Sequence, residues 1–311
     1  MTPPLTVKIE TVDSRSPPPR KPLRLTPADA VLLALAFTCV GYVGWRTHTV
    51  LDYRWDWSSI WPFLLKRDPV TGELQPNLII TGLLTTLRLA VLGMIVSGLI
   101  GIVIGMARTS RRLLLRLIGS AYVMLIRNIP PVVFVFIFYF FIASQIMPAL
   151  GLSERVRDAG PLIRWLLSVL VGDLKLIENF VIGLLCLSVF NGAYVAEIVR
   201  AGIQSVSRHQ IEAGDSLGLS RGDVLRFVVF PQATRNMLPA LASQFIQLIK
   251  DSSLVSLVSI QELSFMAQDV QVSTQRVFEV LIFVAGIYFL LCFSLSRLFE
   301  WLERRAALAY R

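Results

Sequence analysis

Long runs of mainly apolar residues recur along the chain, and they constrain its fold more than any other feature. A helix that crosses a bilayer needs about 20 such residues. In lipid the backbone must satisfy its own hydrogen bonds, which favours helices. Six runs are long enough to cross: Ala28–Trp45, Leu78–Ala107, Ile129–Met147, Asn179–Val199, Ala240–Ile260 and Val277–Phe299. The sequence therefore predicts an all-α polytopic membrane protein with about six transmembrane helices.

Composition supports this class and argues against others. Of the 311 residues, 54% are hydrophobic and 16% are charged, whereas soluble domains average about 25% charged residues. The net charge of +9 lies beside the apolar runs and not in a compact basic patch, so no nucleic-acid partner is predicted. Three cysteines, Cys39, Cys186 and Cys292, lie within apolar runs and are expected to be inert packing residues. Neither His48 nor His209 has partners at metal-ligand spacing, so no metal site is predicted.

The polar segments divide the chain into parts. The N-terminal segment, 1–27, is rich in proline and basic residues and has no apolar periodicity, which is typical of a disordered segment. The predicted parts are a disordered cytoplasmic tail (1–27), an additional N-terminal helix (28–47), an extracytoplasmic loop (48–76), a core (77–303) and a cytoplasmic tail (304–311). The core contains an insertion, 148–178, whose apolar piece Trp165–Val171 is too short to span and is expected to be interfacial or re-entrant.

The distribution of lysine and arginine predicts the orientation of the spans. Segments on one side of the six spans carry 19 of these residues and segments on the other side carry nine. Because positive residues accumulate on the cytoplasmic side, both termini are predicted to be cytoplasmic. The polar segment Ser207–Pro239 is predicted to lie on that side as well.

That polar segment contains signals for two short helices. Ser207 and Gln210 have the spacing of a capping box, which predicts the start of the first helix. Gly218 suits the left-handed position after a helix. Ser220 and Asp223 repeat a weaker start signal for a second helix.

The second helix is predicted to be amphipathic, and Pro231 is predicted to end it. Its apolar stripe is formed by Val224, Leu225, Val228 and Val229. Two amphipathic helices hinged at Gly218 are too short to be stable alone, so they must dock on something. Glu212 is predicted to lie in the first turn of the first helix, where the helix dipole stabilises a carboxylate, and to contact a partner.

The segment resembles the EAA signature of bacterial ABC importer permeases, in which a cytoplasmic loop binds a separate ATPase subunit. The matching positions are Glu212, Ala213, Gly218, Val228 and Pro231. Three positions depart from the signature: Gly214 replaces its third alanine, Val228 its isoleucine and Phe230 its leucine. Spacing alone leaves open an ordinary helical hairpin in a membrane-protein loop.

Four further segments are similar to those of permeases for polar amino-acid uptake, and they follow in the same order. They are Gly82–Arg88, Arg127–Pro130, Ala193–Gly202 and Lys250–Leu254. His209 departs from the pattern, which commonly has glycine before Gln210. The chain is therefore identified as a member of this subfamily, with a five-helix permease core preceded by one extra helix.

The resemblance implies a set of partners and a division of labour. It implies two ATP-binding subunits, a second permease subunit that is homologous or identical, an extracytoplasmic amino-acid-binding protein, and an amino-acid substrate. The location implied is the bacterial inner membrane. The sequence has no G-x-x-x-x-G-K-[ST] phosphate loop, so ATP and Mg are expected on the partner ATPase. No cofactor and no enzymatic activity are predicted for this chain.

Polar residues inside the spans are candidates for a translocation pathway or gate. By helical rise, Lys250 and Asp251 lie about 15 Å beyond the start of their span. Charged residues at this depth either form part of a translocation gate or belong to a fixed structural network between helices. Arg88 meets a substrate carboxylate or extends towards the lipid headgroups. Asn191 and Tyr194 lie one turn apart and line a pathway or join helices.

Two other function classes remain open from the residues alone. A secondary transporter or channel would work without an ATPase and is often built from inverted repeats. A membrane-anchored enzyme would use the intramembrane charges in catalysis.

Overall fold

A computed structural model describes residues 26–50, 53–69 and 72–308 of the chain. The predicted disordered tail, 1–27, lies almost entirely outside the described residues, as do the last three residues of the predicted C-terminal tail. The chain forms two units, Met1–Trp55 and Asp56–Arg311.

The first unit contains one long helix, α1, at Pro27–Val50. Thr26 and Asp29 begin it with reciprocal bonds: the Thr26 backbone N–H donates to the Asp29 carboxylate at 2.8 Å, and the Asp29 N–H donates to the Thr26 hydroxyl at 3.3 Å. Pro27 occupies the first helical position, where its missing N–H has no helical acceptor to lose. The predicted first helix is thus confirmed and extends slightly beyond its expected bounds.

The second unit is built almost entirely from helices. Its α-helices are α2 (Leu78–Thr109), α3 (Leu113–Asn128), α4 (Pro131–Ile137), α5 (Ser144–Leu150), α6 (Leu152–Arg157), α7 (Pro161–Val171), α8 (Ile177–Gln204), α9 (Arg208–Ser216), α10 (Arg221–Asp223), α11 (Phe230–Asp251), α12 (Leu263–Thr274) and α13 (Val277–Leu308). Shorter 3-10 helices cover Trp57–Phe63, Leu174–Leu176 and Ser252–Val258, and π-helical turns cover Phe138–Ala143 and Val224–Val229. Two short antiparallel strands, β1 (Leu65–Arg67) and β2 (Leu74–Pro76), pair with Leu65 opposite Pro76.

Five segments of the described chain are long and apolar enough to cross a membrane. They are Pro27–Arg46, Leu78–Thr109, Pro131–Leu150, Leu174–Gln204 and Val277–Arg305. The sixth predicted span, Ala240–Ile260, forms the second half of α11 and a 3-10 helix, and its many polar side chains keep it outside this group. The all-α polytopic fold is confirmed, whereas the number six is not.

The pair α2 and α8 forms the centre of the second unit. Small residues recur every four positions on the buried face of α2, at Gly93, Ser97, Gly101 and Gly105. A Cβ atom added to Gly105 would lie 2.7 Å from the Cβ of Val199, and one added to Gly101 would clash with Val195. Small residues on transmembrane helices let two backbones approach closely, so this stripe sets the distance between α2 and α8.

Replacement of Gly101 by leucine is expected to lower the free energy of unfolding by about 1–3 kcal/mol, which is the usual cost of overpacking a core. Gly98 lies on the same helix with no atom within 4 Å of its added Cβ position, so Gly98→Leu is the matched control. The measurement is the fraction of chain that stays monodisperse in mild detergent after heating. Equal loss in both variants would contradict the role of the α2–α8 contact.

The insertion 148–178 contains α6 and α7 and packs onto the core. Val156 and Val171 are buried in the same apolar cluster as Ile177 and Phe180 of α8. The outer face of α7 exposes Leu162, Ile163 and Trp165. The segment Trp165–Val171, which was expected to be interfacial or re-entrant, is therefore the second half of α7, a helix that packs on the core.

Candidate functional site

The helix α9 begins where the sequence predicts, but not by the predicted bond. Ser207 is its N-cap, yet the Ser207 side chain makes no capping hydrogen bond. The N–H of Gln210 donates to the Ser207 carbonyl oxygen at 3.1 Å, so a backbone acceptor takes the place of the hydroxyl. The predicted capping box is wrong for this reason.

The position predicted for Glu212 is also wrong. Because α9 begins at Arg208, Glu212 is its fifth residue and lies in the second turn. The stabilisation expected from the helix dipole fades beyond the first turn. The carboxylate of Glu212 is 69% exposed and lies 3.7 Å from Nδ1 of His209, whose side chain is 96% exposed.

Gly218 ends α9 in the left-handed conformation that the sequence predicts, with φ of +77°. The N–H of Leu219 donates to the Gly214 carbonyl oxygen at 3.2 Å, and the N–H of Gly218 donates to the Asp215 carbonyl oxygen at 3.0 Å. These two bonds form a Schellman motif, which satisfies the last carbonyls of the helix. The turn after α9 is therefore a defined structure.

The second helix starts as predicted but does not stop at Pro231. The Ser220 hydroxyl accepts the N–H of Asp223 at 3.3 Å. The π-helical turn Val224–Val229 then continues directly into α11, with Pro231 in the first turn of α11. The π turn before Pro231 is wider than an α-helical turn, and a proline in the first turn of a helix loses no helical hydrogen bond. The helix therefore continues through Pro231 without a break. The prediction that Pro231 ends the helix is wrong, and the loop is joined to α11 without an interruption.

The residues 207–231, here named the coupling loop, dock on the ends of α8 and α11. Val224 and Val229 are buried with Val206 and Met237, and Val228 packs beside them. Leu225, predicted to share their face, is 47% exposed, because the π turn changes the number of residues per turn. Gly214 is buried against this turn, with its added Cβ position 3.1 Å from a Val224 methyl group.

Three residues of α9 and its C-cap form an exposed face of the coupling loop: Glu212, Ala213 and Leu217. Leu217 is 81% exposed, although sequence reasoning did not single it out. A leucine before a helix-ending glycine is usually read as a core residue, so no sequence signal distinguished it.

A cluster of charges joins three helices near the end from which the coupling loop emerges. The carboxylate of Glu197 on α8 is paired with Arg108 of α2 and with Arg200 one turn further along α8. Arg127 at the end of α3 lies 3.9 Å from the same carboxylate, and its guanidinium carbon lies 5.3 Å from the ring centre of Tyr194. The cluster therefore ties α2 and α3 to α8.

Replacement of Glu197 by alanine is expected to lower the free energy of unfolding by about 2 kcal/mol, since hydrogen bonds to charged groups contribute roughly 1.5–3 kcal/mol. The control is Glu300→Ala, because Glu300 forms exposed pairs with Arg297 and Arg304 and such pairs contribute about 0–1 kcal/mol. Thermal unfolding in mild detergent measures both. A larger loss for Glu300→Ala would contradict the structural role of the cluster.

Asn191 of α8, a predicted pathway residue, meets α11 in a polar contact with Gln244, which was not predicted. The Gln244 amide donates to Asn191 Oδ1 at 2.6 Å, and Asn191 is completely buried. Asp251 is buried and accepts a hydrogen bond from Gln247 at 2.8 Å. Lys250 is exposed on another face of α11. Lys250 and Asp251 thus lie on different faces of α11, and whether either acts as a gate stays a prediction.

Arg88 lies beneath the insertion. Its Nε donates to the carbonyl oxygen of Val169 at 3.0 Å, next to Gly172 at the end of α7. A cation at a helix C-terminus is favourable because the last carbonyls are unpaired. Arg88 also lines a cavity of about 110 Å³ together with Thr85 and Asn179. Whether Arg88 also meets a substrate carboxylate or a lipid headgroup stays a prediction.

A second buried carboxylate was missed by sequence reasoning. Glu262 is completely buried and caps α12 by accepting the N–H groups of Ser264 and Phe265 at 2.8 Å and 3.0 Å. It also accepts the Tyr288 hydroxyl at 2.8 Å. Its bonds are structural. Across residues 26–50, 53–69 and 72–308, no three His, Cys, Asp or Glu side chains are grouped as a metal site would require.

Known proteins resemble this chain over most of its length. The family model described as "binding-protein-dependent transport system inner membrane component" matches residues 97–308. The probable glutamine ABC transporter permease GlnM of Bacillus subtilis is 33% identical over 74% of this chain and 93% of its own length. The glutamate/aspartate import permease GltK of Escherichia coli is 32% identical over 82% of this chain and 100% of its own length.

Solved structures show the same likeness. A crystal structure of an amino acid ABC transporter with histidines is similar with a TM-score of 0.59 and 33% identity, covering 73% of this chain and 94% of that one. The MetNI methionine ABC transporter is similar with a TM-score of 0.52 and 17% identity, over 72% of this chain and 95% of that one. At that identity the second likeness concerns the fold alone.

Proposed function

The chain belongs to the family of binding-protein-dependent transport system inner membrane components, the permease subunits of ABC importers, and from this premise we propose that it carries a polar or charged amino acid across the inner membrane under the control of a separate ATPase. The proposed contact with that ATPase is the coupling loop. The observation that carries the proposal is the exposed face of Glu212, Ala213 and Leu217 on a segment that continues directly into α11.

The proposed complex contains more than this chain. Two ATP-binding subunits, a second permease subunit and an extracytoplasmic amino-acid-binding protein complete it, with ATP and Mg held by the ATPase. The names of similar permeases give glutamine, glutamate and aspartate as substrates, and the same chemical class is proposed here. The excess of lysine and arginine on one side supports cytoplasmic termini and a cytoplasmic coupling loop.

The coupling loop supplies a mechanical route from the ATPase to the spans. A contact on α9 reaches the π turn through the Schellman motif and through Gly214, which packs against Val224. The π turn is continuous with α11, and α11 packs between α8, α2 and α13. A partner that binds α9 differently in two nucleotide states therefore shifts α11 between two positions. Differential binding of this kind is what drives a conformational change.

Reconstitution tests the proposal against an ATPase-independent transporter. The chain is purified in mild detergent with its companion subunits, placed in proteoliposomes with the binding protein outside, and supplied with ATP inside. Uptake is expected only when the ATPase subunit and ATP are both present. Uptake by this chain without the ATPase would support a secondary transporter or channel. Turnover of a substrate by the isolated chain would support an enzyme.

A further inference from the structure

The helix α3 combines exposed apolar residues with an unbalanced run of positive charge. Five arginines lie within residues 108–127, and the sequence has no aspartate or glutamate between residues 74 and 153. Six large apolar side chains of α3 are exposed: Leu113, Leu114, Leu117, Ile118, Met124 and Leu125. An amphipathic helix with arginines beside an apolar side is typical of a membrane interface. The charge of this segment has to be balanced by groups from outside it.

The other side of α3 is fixed to α2 and α8. A Cβ atom added to Gly119 would lie 2.8 Å from the Arg108 side chain of α2. The Tyr122 hydroxyl donates to the Val189 carbonyl oxygen of α8 at 2.6 Å. Val123 is buried on the same side. These contacts make α3 one wall of a cleft against the two longer helices.

The cleft lies where α3 meets α2 and α8, and it has a volume of about 500 Å³. Its polar lining consists of Arg108, Ser120, Arg127, Asn128 and Glu197. Sites for small molecules usually measure about 300–1,000 Å³. The cleft is therefore large enough for a phosphate-bearing headgroup, and it is here named the arginine cleft.

Positive charge exceeds negative charge in the arginine cleft. Three guanidinium groups surround the carboxylate of Glu197: those of Arg108, Arg127 and Arg200. Arg108 binds one carboxylate oxygen of Glu197, and Arg200 binds the other. Arg127 lies 3.9 Å from this carboxylate, which is beyond hydrogen-bond distance. One carboxylate therefore leaves two of the three positive charges unbalanced.

Two of these arginines keep hydrogen-bond donors that Glu197 does not use. The Nε of Arg108 is buried and has no partner among the residues that the structure describes. The side chain of Arg127 is 42% exposed, and the ring of Tyr194 supports its guanidinium carbon at 5.3 Å. Guanidinium groups bind phosphate through two parallel N–H bonds. The hydroxyl of Ser120 adds a further donor to the same cleft.

An anionic phospholipid matches both the charge and the apolar surroundings of the arginine cleft. Its phosphate accepts hydrogen bonds from arginine, and its acyl chains match the exposed side chains of Met124 and Leu125. Basic pockets between transmembrane helices on the cytoplasmic side commonly bind phospholipid headgroups. A soluble phosphate would leave the apolar side of α3 in contact with water.

We propose that the arginine cleft binds the phosphate of an anionic phospholipid from the cytoplasmic leaflet, with Arg127 as the main ligand and the acyl chains along Met124 and Leu125. The lipid supplies the negative charge that residues 74–153 lack, and it braces α3 against α2 and α8. The excess of lysine and arginine predicts that this side is cytoplasmic. Binding of the lipid does not depend on which substrate the chain transports.

Native mass spectrometry of the full-length chain in mild detergent tests the class of lipid. Phosphatidylglycerol and phosphatidylcholine with the same acyl chains are titrated separately, and lipid adducts are counted by mass. The first adduct is expected at about a tenfold lower concentration of phosphatidylglycerol, because phosphatidylcholine has no net negative charge. Equal binding of the two lipids would overturn the proposal.

Replacement of Arg127 by glutamine tests the main ligand. Arg127→Gln is expected to raise the required concentration of phosphatidylglycerol about tenfold, because charge-assisted bonds to the phosphate are lost. The control is Arg304→Gln, since Arg304 is an exposed arginine near the end of α13 and should not affect the adduct. Unchanged binding by Arg127→Gln, or an equal loss in the control, would overturn the proposal.

A second pair of variants tests the cleft without removing any charge. Ser120→Leu places a larger side chain within the lining, whereas Ala121→Leu places the same side chain at an exposed position outside it. Only Ser120→Leu is expected to remove the preference for phosphatidylglycerol. This pair decides the outcome if Arg127→Gln does not remain monodisperse in detergent. Equal effects of the two leucines would contradict a site in the arginine cleft.

Two further measurements separate a lipid from other occupants. Inorganic phosphate or glycerol phosphate, at the concentration of the lipid, is expected to leave the adduct intact because neither carries acyl chains. Displacement by either anion would assign the cleft to a soluble ligand and refute lipid binding. The complete complex with the ATPase subunit is expected to retain the preference for phosphatidylglycerol. Loss of the preference on assembly would assign the cleft to a subunit contact instead.

Discussion

Replacement of Glu212 by lysine is expected to abolish ATP-driven uptake without reducing the amount of chain in the membrane. The Glu212 side chain is 69% exposed, and its carboxylate lies 3.7 Å from Nδ1 of His209. Charge reversal there costs little folding energy, since exposed pairs contribute about 0–1 kcal/mol. A complementary cation on a partner would instead become a like charge, which opposes binding. The measurements are uptake in proteoliposomes and the yield of ATPase subunit that co-purifies.

The matched control for this variant is Glu154→Lys. Glu154 is an exposed residue of α6, in the insertion, where no contact with the ATPase is proposed. Its reversal should leave uptake and co-purification close to the unmodified level. Normal uptake by Glu212→Lys would remove the coupling loop from the mechanism, and so would labelling that places Glu212 on the outer side of the membrane.

Replacement of Gly218 by valine is expected to be the second severe change. Gly218 has φ of +77°, a conformation that costs a non-glycine residue roughly 1–3 kcal/mol, with β-branched residues most strained. No atom lies within 4 Å of its added Cβ position, so the cost comes from the backbone and not from crowding. Loss of the turn would misorient α9 relative to the π turn, and uptake is expected to fall at least tenfold.

Two substitutions identify backbone strain as the cause. Gly218→Asn should retain most uptake, because asparagine tolerates the left-handed conformation. Gly222→Val places the same side chain four residues away, at a glycine without positive φ whose added Cβ meets only the Ser220 hydroxyl at 3.8 Å. If Gly218→Asn were as inactive as Gly218→Val, the left-handed turn would not be the relevant property.

Features set by local hydrogen bonding were predictable from short windows of sequence. The left-handed stop at Gly218 and the second helix start at Ser220 and Asp223 are confirmed, because each depends on residues no more than five positions apart. The failures are local as well. The Ser207 hydroxyl was displaced by a backbone acceptor, and Pro231 was accommodated by a π turn that residue spacing did not indicate.

Contacts between distant segments were not predictable in this way. Glu197 pairs with Arg108 of α2, which lies 89 positions upstream, and with Arg127 at the end of α3. Nothing near Glu197 in the sequence identifies these two partners. Leu217 reads as a core residue until the packing of α9 leaves it exposed. Arg88 caps a helix of the insertion, 81 positions away.

The sequence alone determined the class of the protein, five of its six predicted spans and the left-handed turn at Gly218, because hydropathy and backbone preference belong to individual residues and their near neighbours. Only the tertiary structure decided which polar groups of α11 are covered and which stay open. Asn191 covers Gln244, whereas Lys250 remains exposed on the same helix. The physical reason is that exposure depends on which helices pack against a side chain, and that packing joins residues far apart in the chain.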